Sequence, residues 1–321
     1  MRKRVQIAVA VLLFLGLFGF TAWQVVRPRE PVYQGRRLSA WLERFSPDGD
    51  TPDVDEAVRT VGTNTIPLLL QNLQAKDSRL RLMLSVLGLE YTPARIRHMR
   101  AEKGFSALGA DASNAVPNII EVYEQNTSPS ARQAAANALV EIGPASKQAI
   151  PALIKSTAST NSDVRAFALY TLGRMAFESE SVASVLIKAL LDPDREVRYQ
   201  AAYGLANLAF MGGDARPAVP ALIEALQDNY MGVRGGAAHA LGHIHSDPGI
   251  VVPALVKSLH DPDTSVRTHA ASALGEFGTN GKPAIAALTG LLSETNQDAS
   301  SAATNALKRI DPEAAARAGV Q

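Results

Sequence analysis

The chain has 321 residues, 32 Lys and Arg against 31 Asp and Glu, a formal charge of +1, 6% aromatic residues and no cysteine. The length is too great for one small core and fits an elongated domain with a tail. The balanced charge argues against a protein that coats nucleic acid, and the missing cysteine excludes disulfides, thiolate catalysis and cysteine metal sites.

In chain order, Arg2, Lys3 and Arg4 precede the uncharged stretch Val5 to Val26, with Trp23 near its far end. At ~1.5 Å per residue this stretch spans a hydrocarbon core of ~30 Å. Residues 1–27 are predicted to form an N-terminal transmembrane anchor. Phe20 and Ala22 make a poor signal-peptidase site, which favours an uncleaved signal-anchor over a removed signal peptide. The basic start places the N-terminus in the cytoplasm and the following domain outside the cytoplasmic membrane. Residues 28–37, with two prolines and a glycine in Pro28 to Gly35, read as a linker. Leu38, Trp41, Leu42 and Phe45 recur at helical spacing and predict a short amphipathic helix that caps the open end of a helical stack. Residues 38–114 read as degenerate helical repeats, with Ile66-Pro67 opening one helix, 79–89 as its partner and 93–108 as another.

Internal repetition dominates residues 115–310. Arginines at 132, 165, 198, 234 and 267 are separated by 33, 33, 36 and 33 residues, and a further step reaches Ser300. Three residues after each mark come Ala135, Ala168, Ala201, Ala237, Ala270 and Ala303; seven after come Leu139, Leu172, Leu205, Leu241, Leu274 and Leu307. Ten after come Ile142, Met175, Leu208, Ile244, Phe277 and Ile310. These positions share one helix face and predict a buried seam. A proline 14 residues before the arginine, at Pro151, Pro220 and Pro253, predicts the start of a preceding helix. Asp192, Asp228 and Asp261 lie six residues before an arginine, and Asp192-Pro193 and Asp261-Pro262 read as N-caps followed by proline at the first helical position. The chain therefore divides into six regular repeats over 115–310 and a short tail, 311–321.

Proline in the first helix, aspartate in the turn and valine-arginine opening the second helix resemble the HEAT repeat family, in its short bacterial form. The resemblance implies an all-α, right-handed α-solenoid. It implies also that Arg198, Arg234 and Arg267 with Asp192, Asp228 and Asp261 form a ladder of side-chain pairs between repeats. Asn126, Ser159 and Glu294 depart from the pattern at the aspartate position.

In this architecture the second helices line a broad surface. Five and nine residues after each arginine, the register places Tyr170 and Arg174, Tyr203 and Asn207, and His239 and His243 on one stripe, with Tyr199 beside Tyr203. Tyrosine and arginine are common interface anchors, and the stripe is the candidate protein-binding surface. His239 and His243 have metal-compatible spacing, but His-Glu-x-x-His is absent, as are repeated His-Glu pairs, Gly-x-Ser-x-Gly, a phosphate loop and a dinucleotide fingerprint. The reading is a non-enzymatic, membrane-anchored scaffold that binds a protein, without cofactor, metal or nucleic acid. The alternatives are a HEAT-like lyase or metal-dependent enzyme, and a structural spacer.

Overall fold

The computed structural model describes residues 30–45, 51–77, 91–125, 128–175 and 180–320. The predicted membrane span, 1–27, and the predicted helix over 79–89 lie outside the described residues. Among the described residues no helix is long and apolar enough to cross a membrane.

The N-terminal end corrects the linker reading. Val32–Tyr33 (β1) and Arg36–Arg37 (β2) pair antiparallel. The turn uses Gln34 at φ 47° and Gly35 at φ 74°. Positive φ at both central residues matches the right-handed twist of a tight hairpin, and Gly35 takes it without a Cβ penalty. Leu38–Leu42 (α1) comes next, with Leu38, Trp41 and Leu42 buried. Trp41 Nε1 donates to the Tyr33 carbonyl at 3.0 Å, so the hairpin folds onto the cap helix. Pro52–Val61 (α2), Ile66–Leu73 (α3) and Ala94–Leu108 (α4) lead into the repeats.

Six helix pairs occupy the next part of the described chain. They are Val116–Glu124 and Pro129–Ile142 (α5, α6), Ile150–Ser156 and Ser162–Arg174 (α7, α8), and Glu180–Ala189 and Arg195–Phe210 (α9, α10). Val219–Ala225 and Met231–Ile244 (α11, α12), Pro248–Ser258 and Thr264–Glu276 (α13, α14), and Ile285–Leu291 and Gln297–Ile310 (α15, α16) complete them. Pro312–Arg317 (α17) closes the stack; Asp311 caps it by accepting the Ala314 N–H at 2.9 Å, and Ala314 and Ala315 are buried. The stack is an α-solenoid in which each pair packs mainly on its neighbours.

Leu172, Leu205, Leu241 and Leu274 are at most 1% exposed, and the alanines of the same register are fully covered. Each such leucine contributes ~1.5–3 kcal/mol of burial. Ile244 is the exception and stays half-buried. The even-numbered helices pack far more extensively on one another than the odd-numbered ones do. The reason is a second small-residue seam. An added Cβ on Gly173 would stand 2.5 Å from the Gly204 Cα, one on Gly242 2.8 Å from the Ala273 Cα, and one on Gly275 3.0 Å from the Ala306 Cα. The residue eight after one ladder mark thus meets the residue six after the next. Backbones therefore approach most closely on the side of the second helices.

The turns correct two readings. Asp192 and Asp261 are not N-caps: Asp194 and Asp263 cap α10 and α14, accepting from Glu196 and Ser265 N–H at 2.9 Å each. Asp192 and Asp261 instead accept the N–H two residues on, at 2.9 Å in both, which holds the turn and leaves the carboxylate for a neighbouring arginine. Pro193 and Pro262 therefore sit in the turn. Pro253 lies inside α13, which begins five residues earlier at Pro248. Pro253 is exposed, so water can satisfy the carbonyl its missing N–H leaves free.

Candidate functional site

Two charged rungs flank the second-helix face. Tyr170 and Arg174 are one turn apart on α8, and Arg174 Nη1 donates to the Tyr170 hydroxyl at 3.1 Å with its guanidinium 5.7 Å from the ring centroid. Arg174 also reaches back to Glu141 of α6 at 3.3 Å. At the other end Arg309 of α16 pairs with Glu276 of α14, at 2.6 Å through Nη2. Both pairs join positions nine residues after consecutive ladder marks. Between them that position is held by Asn207 and His243, both half-buried and neither formally charged.

The centre is a run of rings. Tyr199 and Tyr203 on α10 have centroids 4.7 Å apart, Tyr199 meets Tyr230 at 6.3 Å, and Tyr203 meets His239 at 5.9 Å. His239 contacts His243 at 4.5 Å and His269 of α14 at 5.7 Å, both edge to face. Phe210, 71% exposed, stands 5.4 Å from the His243 ring. The run crosses three consecutive second helices, α10, α12 and α14.

The sequence of α12 explains how the rings lie down. Its N-cap is Tyr230, which makes no side-chain cap bond, and its first turns carry Gly232, Gly235 and Gly236. A Cβ at Gly236 would lie 2.9 Å from Tyr203 Cδ2, and one at Gly232 would lie 2.8 Å from Tyr230 Cε1. The rings therefore rest on bare helix backbone. Each glycine costs ~1 kcal/mol of helix propensity relative to alanine, and the absent cap roughly another 1 kcal/mol. Stability is given up at the one helix where the ring ledge needs room.

Burial favours the uncharged forms of Tyr199, Tyr203, His239 and His243. Burial, then the neighbouring His243 and His269, push His239 down to about 4. Burial lowers His243 as well and raises the phenols of Tyr199 and Tyr203. An uncharged tyrosine-rich centre with ion pairs at its margins has the anatomy of an interface core and rim. Beside it an open groove of about 780 Å³ includes Met231, Thr268, His269, Ser272, Ser301 and Asn305 in its walls. Among the described residues no three His, Asp or Glu groups converge as metal ligands.

All seven stripe residues lie on the second-helix face, and the rings of Tyr199, Tyr203, His239 and His243 meet one another in sequence. Tyr170 and Arg174 form a separate group with Phe167, whose ring is 6.0 Å from Tyr170. Tyr230, Phe210 and His269 join the ledge although the five-and-nine register does not reach them. His269 stands two residues after Arg267, on the same face as position five, and i, i+3 spacing could have found it.

The ladder runs along the turn edge. Arg165, Arg198, Arg234 and Arg267 donate to Asp192, Asp228, Asp261 and Glu294 of the following repeat, each through Nε and Nη2 at 2.7–3.0 Å. Nη1 of Arg198, Arg234 and Arg267 donates to the carbonyl of Asp192, Asp228 and Asp261 in their own repeats at 2.8–2.9 Å. Each guanidinium thus ties its own turn to the next. Glu294 serves in place of aspartate, so the departure there does not end the ladder.

A HEAT repeat model matches residues 116–206, 183–250 and 219–308. No curated protein sequence matches the chain. Kap121p is similar in structure at TM-score 0.53 and 16% identity, over 88% of this chain and 34% of Kap121p. An engineered protein aligns at TM-score 0.48 and 23% identity, covering 88% of this chain and 82% of its own. The CpcE and CpcF complex of phycocyanin lyase from Nostoc sp. PCC7120 aligns at TM-score 0.41 and 28% identity, over 50% of this chain and 98% of that one. With the model matched continuously from 116 to 308 and six stacked helix pairs over the same residues, the chain belongs to the HEAT repeat family.

Proposed function

We propose that this HEAT-repeat scaffold is non-enzymatic and binds a protein partner through the ledge of Tyr199, Tyr203, His239 and His243, with Tyr170, Arg174 and Asn207 alongside. The observation that carries the reading is the neutral ring run laid over the glycines of α12. A spacer has no use for a helix weakened at three positions on one face, whereas a docking surface gains flat aromatic area at low side-chain entropy. The absence of a basic stripe favours protein over nucleic acid.

The same reading places residues 1–27 in the cytoplasmic membrane as a single-pass anchor, with the repeats outside. Its support is the basic triplet Arg2 to Arg4 ahead of an uncharged run long enough to span. A reporter fused at the C-terminus reads the side directly; cytoplasmic reporter activity would refute the orientation.

In-cell cross-linking of the full chain, with identification of captured proteins, tests the binding role. Capture should be lost in Tyr203→Ala and His239→Ala and retained in Lys188→Ala on the first-helix row. Equal capture by all three would remove the ledge as the binding surface.

A further inference from the structure

The hairpin at the N-terminal end has one covered side and one open side. Its register sets Tyr33 opposite Arg36 and Val32 opposite Arg37, so each pair projects from one side of the ribbon. The Tyr33 and Arg36 side is covered. The Tyr33 ring lies 5.6 Å from the Trp41 ring, the Arg36 guanidinium stands 5.8 Å over Trp41, and the Tyr33 hydroxyl donates to Glu56 at 3.0 Å. Val32 and Arg37 therefore point away from α1. Val32 is 59% exposed, Arg36 and Arg37 are exposed too, and among the described residues neither arginine has an acidic partner. The open side is held firmly to the stack: Trp41 Nε1 donates to the Tyr33 carbonyl and the Leu38 N–H to the Pro31 carbonyl, both at 3.0 Å.

Chain length and charge say what this side can meet. With Val26 at the end of the span, the four steps to Glu30 reach at most ~14 Å, of which the headgroup layer itself takes ~5–8 Å. The hairpin is therefore tethered at the headgroup surface, at high effective concentration. Residues 27–37 carry four arginines, Arg27, Arg29, Arg36 and Arg37, against one acid, Glu30. Glu30 is turned back into the fold, where its carboxylate accepts the Ser39 N–H. An exposed valine beside uncompensated guanidinium groups suits a surface with phosphates above an apolar layer. Each arginine near an anionic bilayer favours contact by about five-fold.

We propose that the open side of the β1–β2 hairpin, Val32 and Arg37 with Arg36 at its edge, docks on the headgroups of anionic phospholipids. The proposal rests on the anchor reading, which supplies the tether, and is independent of the ring ledge.

The chain has no cysteine, so Gln34→Cys at the hairpin tip carries a single fluorophore. The labelled full chain is reconstituted into phosphatidylcholine vesicles, with and without phosphatidylglycerol, that bear a quencher on the lipid headgroup. Quenching should be strong with phosphatidylglycerol and weak without it. Arg37→Gln should lower the ratio of contacting to free hairpin about five-fold, and Arg36→Gln with Arg37→Gln about 30-fold. Arg37→Gln leaves the Arg36 and Trp41 contact in place, and unchanged circular dichroism confirms that the fold is kept. A label at exposed Glu313→Cys, at the other end of the stack, should stay unquenched. Alkaline carbonate extraction of the same vesicles reads the anchor separately. Carbonate-resistant protein whose hairpin is quenched equally in both vesicles, or equally in Arg37→Gln, overturns the docking and leaves the anchor standing. Protein stripped by carbonate refutes the anchor and the docking with it. An unquenched hairpin label that shows energy transfer to a second labelled chain assigns the open side to another copy and overturns the lipid.

Discussion

Removing one acid from the ladder should cost more than removing a whole rung. Asp228 accepts two bonds from Arg198, at 2.7 and 3.0 Å, and the Tyr230 N–H at 2.8 Å. The two side chains are only 12% and 13% exposed. In Asp228→Ala the Arg198 guanidinium keeps its Nη1 bond to the Asp192 carbonyl and its bond to Asn229, but loses its counter-charge. Breaking a buried pair in this way costs ~3–5 kcal/mol, and partial exposure sets the expectation at about 3 kcal/mol. The lost Tyr230 bond adds about 1 kcal/mol. For a domain of this size a total of ~4 kcal/mol lowers Tm by roughly 8–16 °C. Arg198→Met with Asp228→Ala leaves no unpaired charge and keeps the aliphatic stem, so the double variant should be more stable than Asp228→Ala alone. Urea unfolding of the parent and both variants, monitored by circular dichroism, measures both comparisons. The reasoning fails if Asp228→Ala lies within about 1 kcal/mol of the parent, where exposed ion pairs fall.

Three other outcomes are expected from the packing and the titrating groups. Gly173→Ala should gain up to ~1 kcal/mol of helix propensity yet be net destabilising in urea, by about 1–2 kcal/mol, because its Cβ would meet the Gly204 backbone. Gly236→Ala should weaken partner capture and be mildly destabilising, because the new Cβ would stand 2.9 Å from Tyr203 Cδ2 and 3.0 Å from the Cβ of buried Ala202, which cannot swing aside. Stability should decline as pH falls from about 6.5 towards about 4: folded His239 resists protonation down to about 4, while the unfolded chain protonates it near 6.5. His239→Asn should flatten that slope. His243 and buried His98, both also lowered by burial, the latter held between the Ala75 carbonyl and the Ser130 hydroxyl at 2.9 and 3.0 Å, supply the remainder. The ladder acids act in a lower window. Burial opposes ionisation of Asp192, but its bonds from Arg165 and the Asp194 N–H outweigh that and hold it below the ordinary aspartate value.

The seam was legible because burial recurs with the helix period: alanine at three and leucine at seven residues after each mark face one way whatever surrounds them. The ladder was legible in composition and not in direction. Spacing shows an aspartate six residues before Arg198, Arg234 and Arg267, but that neighbour contributes only its carbonyl, and the carboxylate comes from the following repeat. Two acids two residues apart, as in Asp192 and Asp194, look alike in sequence, and backbone geometry alone decides which caps the helix. The close seam between Gly173 and Gly204 was hidden because small residues carry no hydropathy signal. Tyr230 joins the ledge from a cap position, where a helix-face register does not look.

The second helices α8 and α10, α12 and α14, and α14 and α16 meet with the residue eight after one mark against the residue six after the following one. Because the chain has no cysteine, a Gly275→Cys/Ala306→Cys pair can be oxidised without background. A Cβ at Gly275 would lie 3.2 Å from the Ala306 Cβ, near the ~3.5–4.5 Å of a disulfide. Rapid, near-complete cross-linking within one chain is the expected result. Failure of this pair, with efficient cross-linking of Gly275→Cys to Leu307→Cys instead, would contradict the register on which the stack and its second-helix face depend.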